Sequence, residues 1–73
     1  MGYYIATENI ILKDNISIVY KDVLKVELIN KIYIHIRNLR GDNLYCFGKR
    51  KINKNFRYAE TWEEVETIVD SLK

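Results

Sequence analysis

The sequence has no proline, three glycines, one cysteine and one histidine in 73 residues. A single cysteine, Cys46, excludes an internal disulfide, and one cysteine with one histidine cannot complete a structural zinc site. Because proline is absent and glycine is scarce, no linker, repeat or low-complexity segment is visible. We therefore expect a single domain over residues 1–73 that binds no metal and no other cofactor.

Long apolar runs are missing as well. No apolar stretch approaches eighteen residues and no signal peptide is visible, so we expect the chain neither to cross nor to span a membrane. The low cysteine content is typical of the reducing cytoplasm.

A chain of this length buries only about 60% of its unfolded surface, so its core is marginal. No disulfide or metal supports that core, and 48% of the residues are hydrophobic. We therefore predict self-association into a homodimer or a larger homo-oligomer.

The strongest pattern present is an alternation of apolar and polar residues from Val23 to Phe47. A period of two predicts strands with one buried face. Further strands are predicted at 10–12 and 16–20, on either side of a turn at 13–15 that pairs Ile10 with Ile18 and Leu12 with Ile16. Residues 3–5 are predicted to form a short edge strand.

Two registers follow from keeping apolar residues on one side of the sheet. A loop at 29–31 would pair Val26 with Ile34. A loop containing Gly41, at a position that needs positive φ, would pair Ile34 with Cys46. In this register Cys46 points into the core and His35 points outward, so the two side chains would not act together.

The helix signals lie at the C-terminus. Thr61 and Glu64 have the spacing of a capping box, and apolar residues follow at helical spacing: Trp62, Val65, Ile68, Val69 and Leu72. The sequence thus predicts an α+β fold, in which a small antiparallel sheet of five or six strands packs on one C-terminal α-helix over about 62–72. The helix would cover the Ile34 and Ile36 face, and a partly closed barrel is an alternative form of the sheet.

The outer face of this predicted sheet is the first candidate site. It would carry five aromatic or polar side chains, namely Tyr33, His35, Arg37, Tyr45 and Phe47. Tyrosine and phenylalanine are enriched in interface cores, so the face is predicted to bind protein or a second copy. Packing against the N-terminal segment and stacking of nucleotide bases are the alternatives.

The second candidate site is a run of basic residues without an acid between 49 and 57: Lys49, Arg50, Lys51, Lys54 and Arg57. It could be a solvated connection that offsets the acidic helix after it. Alternatively it could bind an anion or nucleic acid, with Phe56 and Tyr58 stacking on bases.

No enzyme signature accompanies these features. The chain has no glycine-rich phosphate loop, no serine in a nucleophile turn and no paired carboxylates on predicted core strands. We therefore predict that the protein is not an enzyme and has no catalytic residues.

Residues 18–27, the hairpin ending at 41–47 and the final helix together resemble bacterial pleckstrin-homology-like domains. That resemblance implies a bent antiparallel sheet capped by a helix and used for binding. The step from 60 to 66, Glu-Thr-Trp-Glu-Glu-Val-Glu, is similar to short β-meander-plus-helix proteins of phages and Gram-positive bacteria. This second resemblance implies binding of a host or defence component.

The sequence thus predicts a small, self-associating, non-enzymatic module that binds a protein partner and is encoded by a phage or mobile element. The alternative is a nucleic-acid or nucleotide-binding protein that uses the basic segment 49–57 and the aromatic sheet face.

Overall fold

The computed structural model describes residues 2–12, 17–39 and 43–73. These form the strands β1 Tyr3–Ala6, β2 Ile10–Ile11, β3 Ser17–Ile18, β4 Val23–Ile29, β5 Tyr33–Asn38, β6 Leu44–Gly48 and β7 Phe56–Ala59, and the helices α1 Lys49–Asn55 and α2 Trp62–Ser71. Five strands make one antiparallel sheet in the order β6-β5-β4-β1-β7, and β2 pairs with β3. The predicted α+β fold is confirmed, and over the described residues the sheet does not close into a barrel.

Strand β1 lies inside the sheet, where Tyr4 pairs with Leu24 on one side and with Tyr58 on the other. The prediction of an edge strand was wrong because β7 was not identified as a strand. With four residues and charged or polar groups at its centre, β7 carries too little alternation for the period to be read.

One face of the sheet, here called the α1 face, holds the larger core. Its buried members are Tyr4, Ala6, Ile18, Leu24, Val26, Ile34, Ile36, Tyr45, Ile52 and Phe56. Helix α1 adds Ile52, which is 0% exposed, and the β2–β3 sheet adds Ile18. The segment expected as a connection is helical because lysine and arginine are good helix formers and because Ile52 packs on the sheet.

The opposite face, here called the α2 face, holds a smaller core of Ile5, Ala59, Val65 and Ile68. Helix α2 therefore packs on β1 and β7, not on Ile34 and Ile36 as predicted. Helix α2 packs here because successive side chains of β1 point to opposite faces of the sheet. Ile5 points to the α2 face and, together with Ala59, offers α2 an apolar surface.

The predicted start of α2 is confirmed. The Glu64 amide donates a hydrogen bond to the Thr61 hydroxyl at 3.2 Å, and the Glu64 carboxylate accepts one from the Glu60 amide at 3.0 Å. The first bond is that of a capping box, whereas in the second the Glu64 carboxylate reaches the amide of Glu60, one residue before the N-cap Thr61.

A β-bulge in β4 changes the predicted β4–β5 register. Val26 pairs with Ile36 instead of Ile34, and the register shifts before Leu28, which pairs with His35. The extra residue turns Leu28 to the α2 face, where it is 53% exposed. Alternation alone could not reveal this, because a bulge interrupts the period of two.

The β5–β6 register differs from the predicted one by one residue. Ile36 pairs with Tyr45 and His35 pairs with Cys46. A shift of one residue moves every β6 side chain to the other face. Tyr45 is therefore in the core, whereas Cys46 is exposed.

The short β2–β3 sheet confirms the pairing of Ile10 with Ile18. The turn at 13–15, the pairing of Leu12 with Ile16 and the φ angle of Gly41 lie outside the described residues.

A tight turn joins β3 to β4. The Asp22 amide donates to the Val19 carbonyl at 2.9 Å, and the Lys21 amide donates to Ala6 of β1 at 2.8 Å. Lys21 has φ 72°, a left-handed conformation that favours glycine. The bond from Lys21 to Ala6 holds the turn against β1.

Candidate functional site

Helix α2 covers only part of the α2 face, and the part above β4, β5 and β6 stays accessible. This surface, here called the open face, consists of Lys25, Glu27, Leu28, Tyr33, His35, Arg37, Leu44 and Cys46. Cross-strand pairing places Leu28, His35 and Cys46 in one row and Arg37 beside Leu44. Leu28, Tyr33 and Leu44 are 53%, 47% and 50% exposed. The described chain thus has a mixed sheet surface in contact with solvent, on which exposed apolar and aromatic side chains lie beside charged ones.

The five residues predicted as an interface do not form one surface. Tyr33, His35 and Arg37 lie on the open face, as expected. Tyr45 is buried on the α1 face, and Phe47 packs against the same core with its ring 5.3 Å from that of Phe56. The one-residue register difference explains this division.

The open face also contains the ion pair of the described residues, in which Arg37 Nε donates to Glu27 Oε1 at 2.6 Å. Both side chains are about two-fifths exposed, at 40% and 43%. Exposed pairs of this kind contribute little to stability. The pair does hold the Arg37 guanidinium beside the bulge in β4.

The prediction that Cys46 and His35 lie on opposite faces of the sheet is wrong. Cys46 Sγ lies 3.9 Å from His35 Nε2 on the open face. A mononuclear structural zinc site needs four ligands. Among the described residues no group of three or more histidine, cysteine, aspartate or glutamate side chains is placed to hold a metal.

Three of the predicted basic residues come together in a groove at the β6 end of the sheet. Its lining, here called the basic groove, consists of Lys31, Ile32, Tyr33, Gly48, Lys49, Arg50 and Lys51, and it encloses about 570 Å³. Sequence reasoning missed Lys31, which lies eighteen positions before Lys49. Asn30, which favours a turn, could have indicated that Lys31 lies in an exposed loop. It could not have shown that Lys31 lies near Lys49.

The other two predicted basic residues lie apart from this groove. Lys54 is an exposed residue in the last turn of α1. Arg57, on β7, lines a different shallow groove together with Glu63 and Glu64 of α2. The segment 49–57 is therefore not one continuous surface.

The two aromatic residues predicted to stack on bases are also elsewhere. Phe56 is 4% exposed in the α1-face core. The Tyr58 hydroxyl donates a hydrogen bond to the Glu60 carboxylate. That bond, with smaller contributions from burial and from nearby negative charge, raises the pKa of Tyr58 to about 12.

Known proteins give no further guide to the site. No family model matches this chain, and no curated protein or solved structure is significantly similar to it. Within the described residues neither α1 nor α2 has the length and apolar character of a membrane-spanning helix.

Proposed function

We propose that the protein is a small, self-associating, non-enzymatic module that binds protein through its open face. The observation that carries this proposal is the exposure of Leu28, Tyr33 and Leu44 on a sheet surface that the described chain leaves uncovered. Clustered exposed apolar side chains are typical of protein interaction surfaces, and tyrosine is enriched in interface cores.

The neighbouring sheet edge supports a second copy as the partner. Strand β6, Leu44–Gly48, is an edge strand with the sequence LYCFG. It has no proline, no charged side chain and no bulge, which are the usual features that prevent edge-to-edge pairing. The other edge strand, β7, is four residues long and carries Arg57. A second copy can therefore add a strand beside β6 and extend the sheet, which places Leu44 at the contact between the two copies.

A marginal core is a second reason for self-association. The domain has one free cysteine and, in its described residues, no group of metal ligands. Small domains without such support commonly gain stability by oligomerisation. The phage or mobile-element setting, with a host or defence component as a further partner, rests on the sequence resemblance alone.

Light scattering coupled to gel filtration tests the proposal. The mass should rise from the 8.7 kDa of one chain toward twice that value as the protein concentration increases from micromolar to millimolar. Leu44→Lys should keep the protein monomeric, because it places a charge on the open face at the β6 edge. Ile11→Lys is the matched control: Ile11 is 83% exposed in the β2–β3 sheet, so this variant should associate like the wild type.

Two results would overturn the proposal. One is a wild-type protein that remains monomeric at millimolar concentration. The other is equal loss of association in both lysine variants, which would mean that added charge, and not the location of Leu44, determines the mass.

A further inference from the structure

We infer that the basic groove is a binding site for single-stranded nucleic acid, in which lysine and arginine contact backbone phosphates and Tyr33 stacks on a base. This site goes beyond the proposed self-association, since its charged residues lie outside the open face. Tyr33 belongs to both surfaces, so nucleic acid and a protein that covers the open face compete for this side chain.

The first observation is that the groove is built on fixed backbone. The Lys49 amide donates a hydrogen bond to the Ile32 carbonyl at 2.9 Å, and Tyr33 pairs with Gly48 in the sheet register. Ile52, 0% exposed, holds the helix that carries the basic side chains. The backbone that carries the charged side chains is thus held in place, unlike that of a flexible connection.

The second observation is the local charge. Four of the seven lining residues are basic and none is acidic. In the described part of the chain the ion pair is Glu27–Arg37, and none involves Lys31, Lys49, Arg50 or Lys51. The acidic helix α2 cannot readily neutralise the groove, because α1 and α2 pack on opposite faces of the sheet. Four cations that line one groove repel one another, and an anionic ligand would relieve that repulsion.

The third observation is Gly48. Its φ of −65° is one that any residue adopts, and a Cβ at this position would meet nothing within 4 Å. Neither backbone conformation nor packing requires glycine here. The missing side chain leaves space in the groove for a ligand.

The flanking apolar residues determine which anion fits best. Ile32 and Tyr33 are 64% and 47% exposed beside the charges. Unpaired bases stack on aromatic side chains such as Tyr33, whereas a duplex keeps its bases stacked inside. Several separate cations also suit a chain of phosphates better than one phosphate group. A single strand uses both parts of the groove.

Fluorescence anisotropy tests this with a labelled oligothymidine of about fifteen nucleotides, the corresponding duplex, polyglutamate and phosphatidylserine vesicles. The wild-type protein should bind the single strand more tightly than the other three probes. Its log–log salt slope should be roughly −3, about 0.7 for each of four phosphates.

The variant with Lys31, Lys49 and Lys51 replaced by alanine should bind the single strand at least about tenfold more weakly, with a slope flatter by roughly two. The matched control replaces three lysines outside the groove, Lys25, Lys54 and Lys73. Because both variants lose three positive charges, the control separates the effect of losing charge in the groove from the effect of lowering the net charge of the protein.

Three further variants test the groove without changing charge. Tyr33→Ala should weaken single-strand binding roughly fivefold or more, whereas Tyr33→Phe should retain it, because phenylalanine also stacks. Gly48→Leu should weaken binding by filling the groove. Circular dichroism confirms that each variant is folded before it is compared.

Several outcomes would contradict the inference. No binding of the single strand at low salt excludes the site. Equal or tighter binding of the duplex or of polyglutamate indicates a general polyanion surface, and preference for the vesicles indicates a lipid surface. Equal loss in the two triple variants indicates net charge alone. Each of these results would leave the self-association measurement, which uses Leu44, unaffected.

Discussion

Replacing Ile52 with alanine should destabilise the protein by about 2–4 kcal/mol. The change removes three carbon groups from a side chain that is 0% exposed in the α1-face core. At about 0.8 kcal/mol per buried group, the lost burial is roughly 2.4 kcal/mol, and the cavity left behind raises the cost. The better helix propensity of alanine returns only a few tenths of a kcal/mol.

This loss is large for so small a domain. At about 0.05–0.15 kcal/mol per residue, a chain of 73 residues has a total free energy of unfolding of roughly 4–11 kcal/mol. Urea denaturation followed by circular dichroism measures the change, provided that the slope of the transition stays constant.

Ile11→Ala is the matched control. It removes the same three groups at a position that is 83% exposed, so the free energy of unfolding should change by less than about 0.5 kcal/mol. A cost for Ile52→Ala as small as that of the control would refute the reasoning. Residues 49–55 would then be the solvated connection considered in the sequence analysis, without a packed anchor on the sheet.

Three smaller predictions concern backbone and titration. Lys21→Gly should raise the free energy of unfolding by about 0.5–1 kcal/mol, because it relieves a left-handed conformation, whereas Lys21→Ala should give no such gain in urea denaturation. Gly2→Ala should lower the free energy of unfolding by about 1–3 kcal/mol, because the added Cβ would collide with the backbone of β7. The control Gly48→Ala should be tolerated, because a Cβ there would meet no atom within 4 Å; equal losses of stability in the two variants would contradict this prediction. Ultraviolet titration should find Tyr58 ionising near 12, and Glu60→Gln should lower its pKa. The ordinary pKa of tyrosine is 10.0, so the raised pKa means that the neutral Tyr58 stabilises the folded state. This contribution to the free energy of unfolding is complete below pH 10 and is lost as pH rises from 10 toward 12.

The local features of the fold were predictable from the sequence because they depend on neighbouring residues. Thr61 and Glu64 determine where α2 begins, through hydrogen bonds spanning three to four residues. Alternation between Val23 and Phe47 predicts strands, since the period of side-chain direction is built into extended backbone. These signals established the α+β class without reference to tertiary contacts.

Helix α1 was not predictable in this way. Its sequence, KRKINKN, has one apolar residue and no side-chain cap, so neither periodicity nor capping distinguishes it from a charged loop. It is placed by the contact of Ile52 with residues distant in sequence, and isolated helices this short are unstable in water.

The candidate sites were decided by tertiary structure for a related reason. A bulge after Val26 and a one-residue register difference at Tyr45 determine which side chains reach the open face, and both are set by packing across strands. Lys31 joins Lys49 because two hairpin strands bring their ends together. The sequence determined which residues carry charge and aromatic rings, but only the pairing of the strands determined which of them share a surface, because a shift of one residue reverses every side chain.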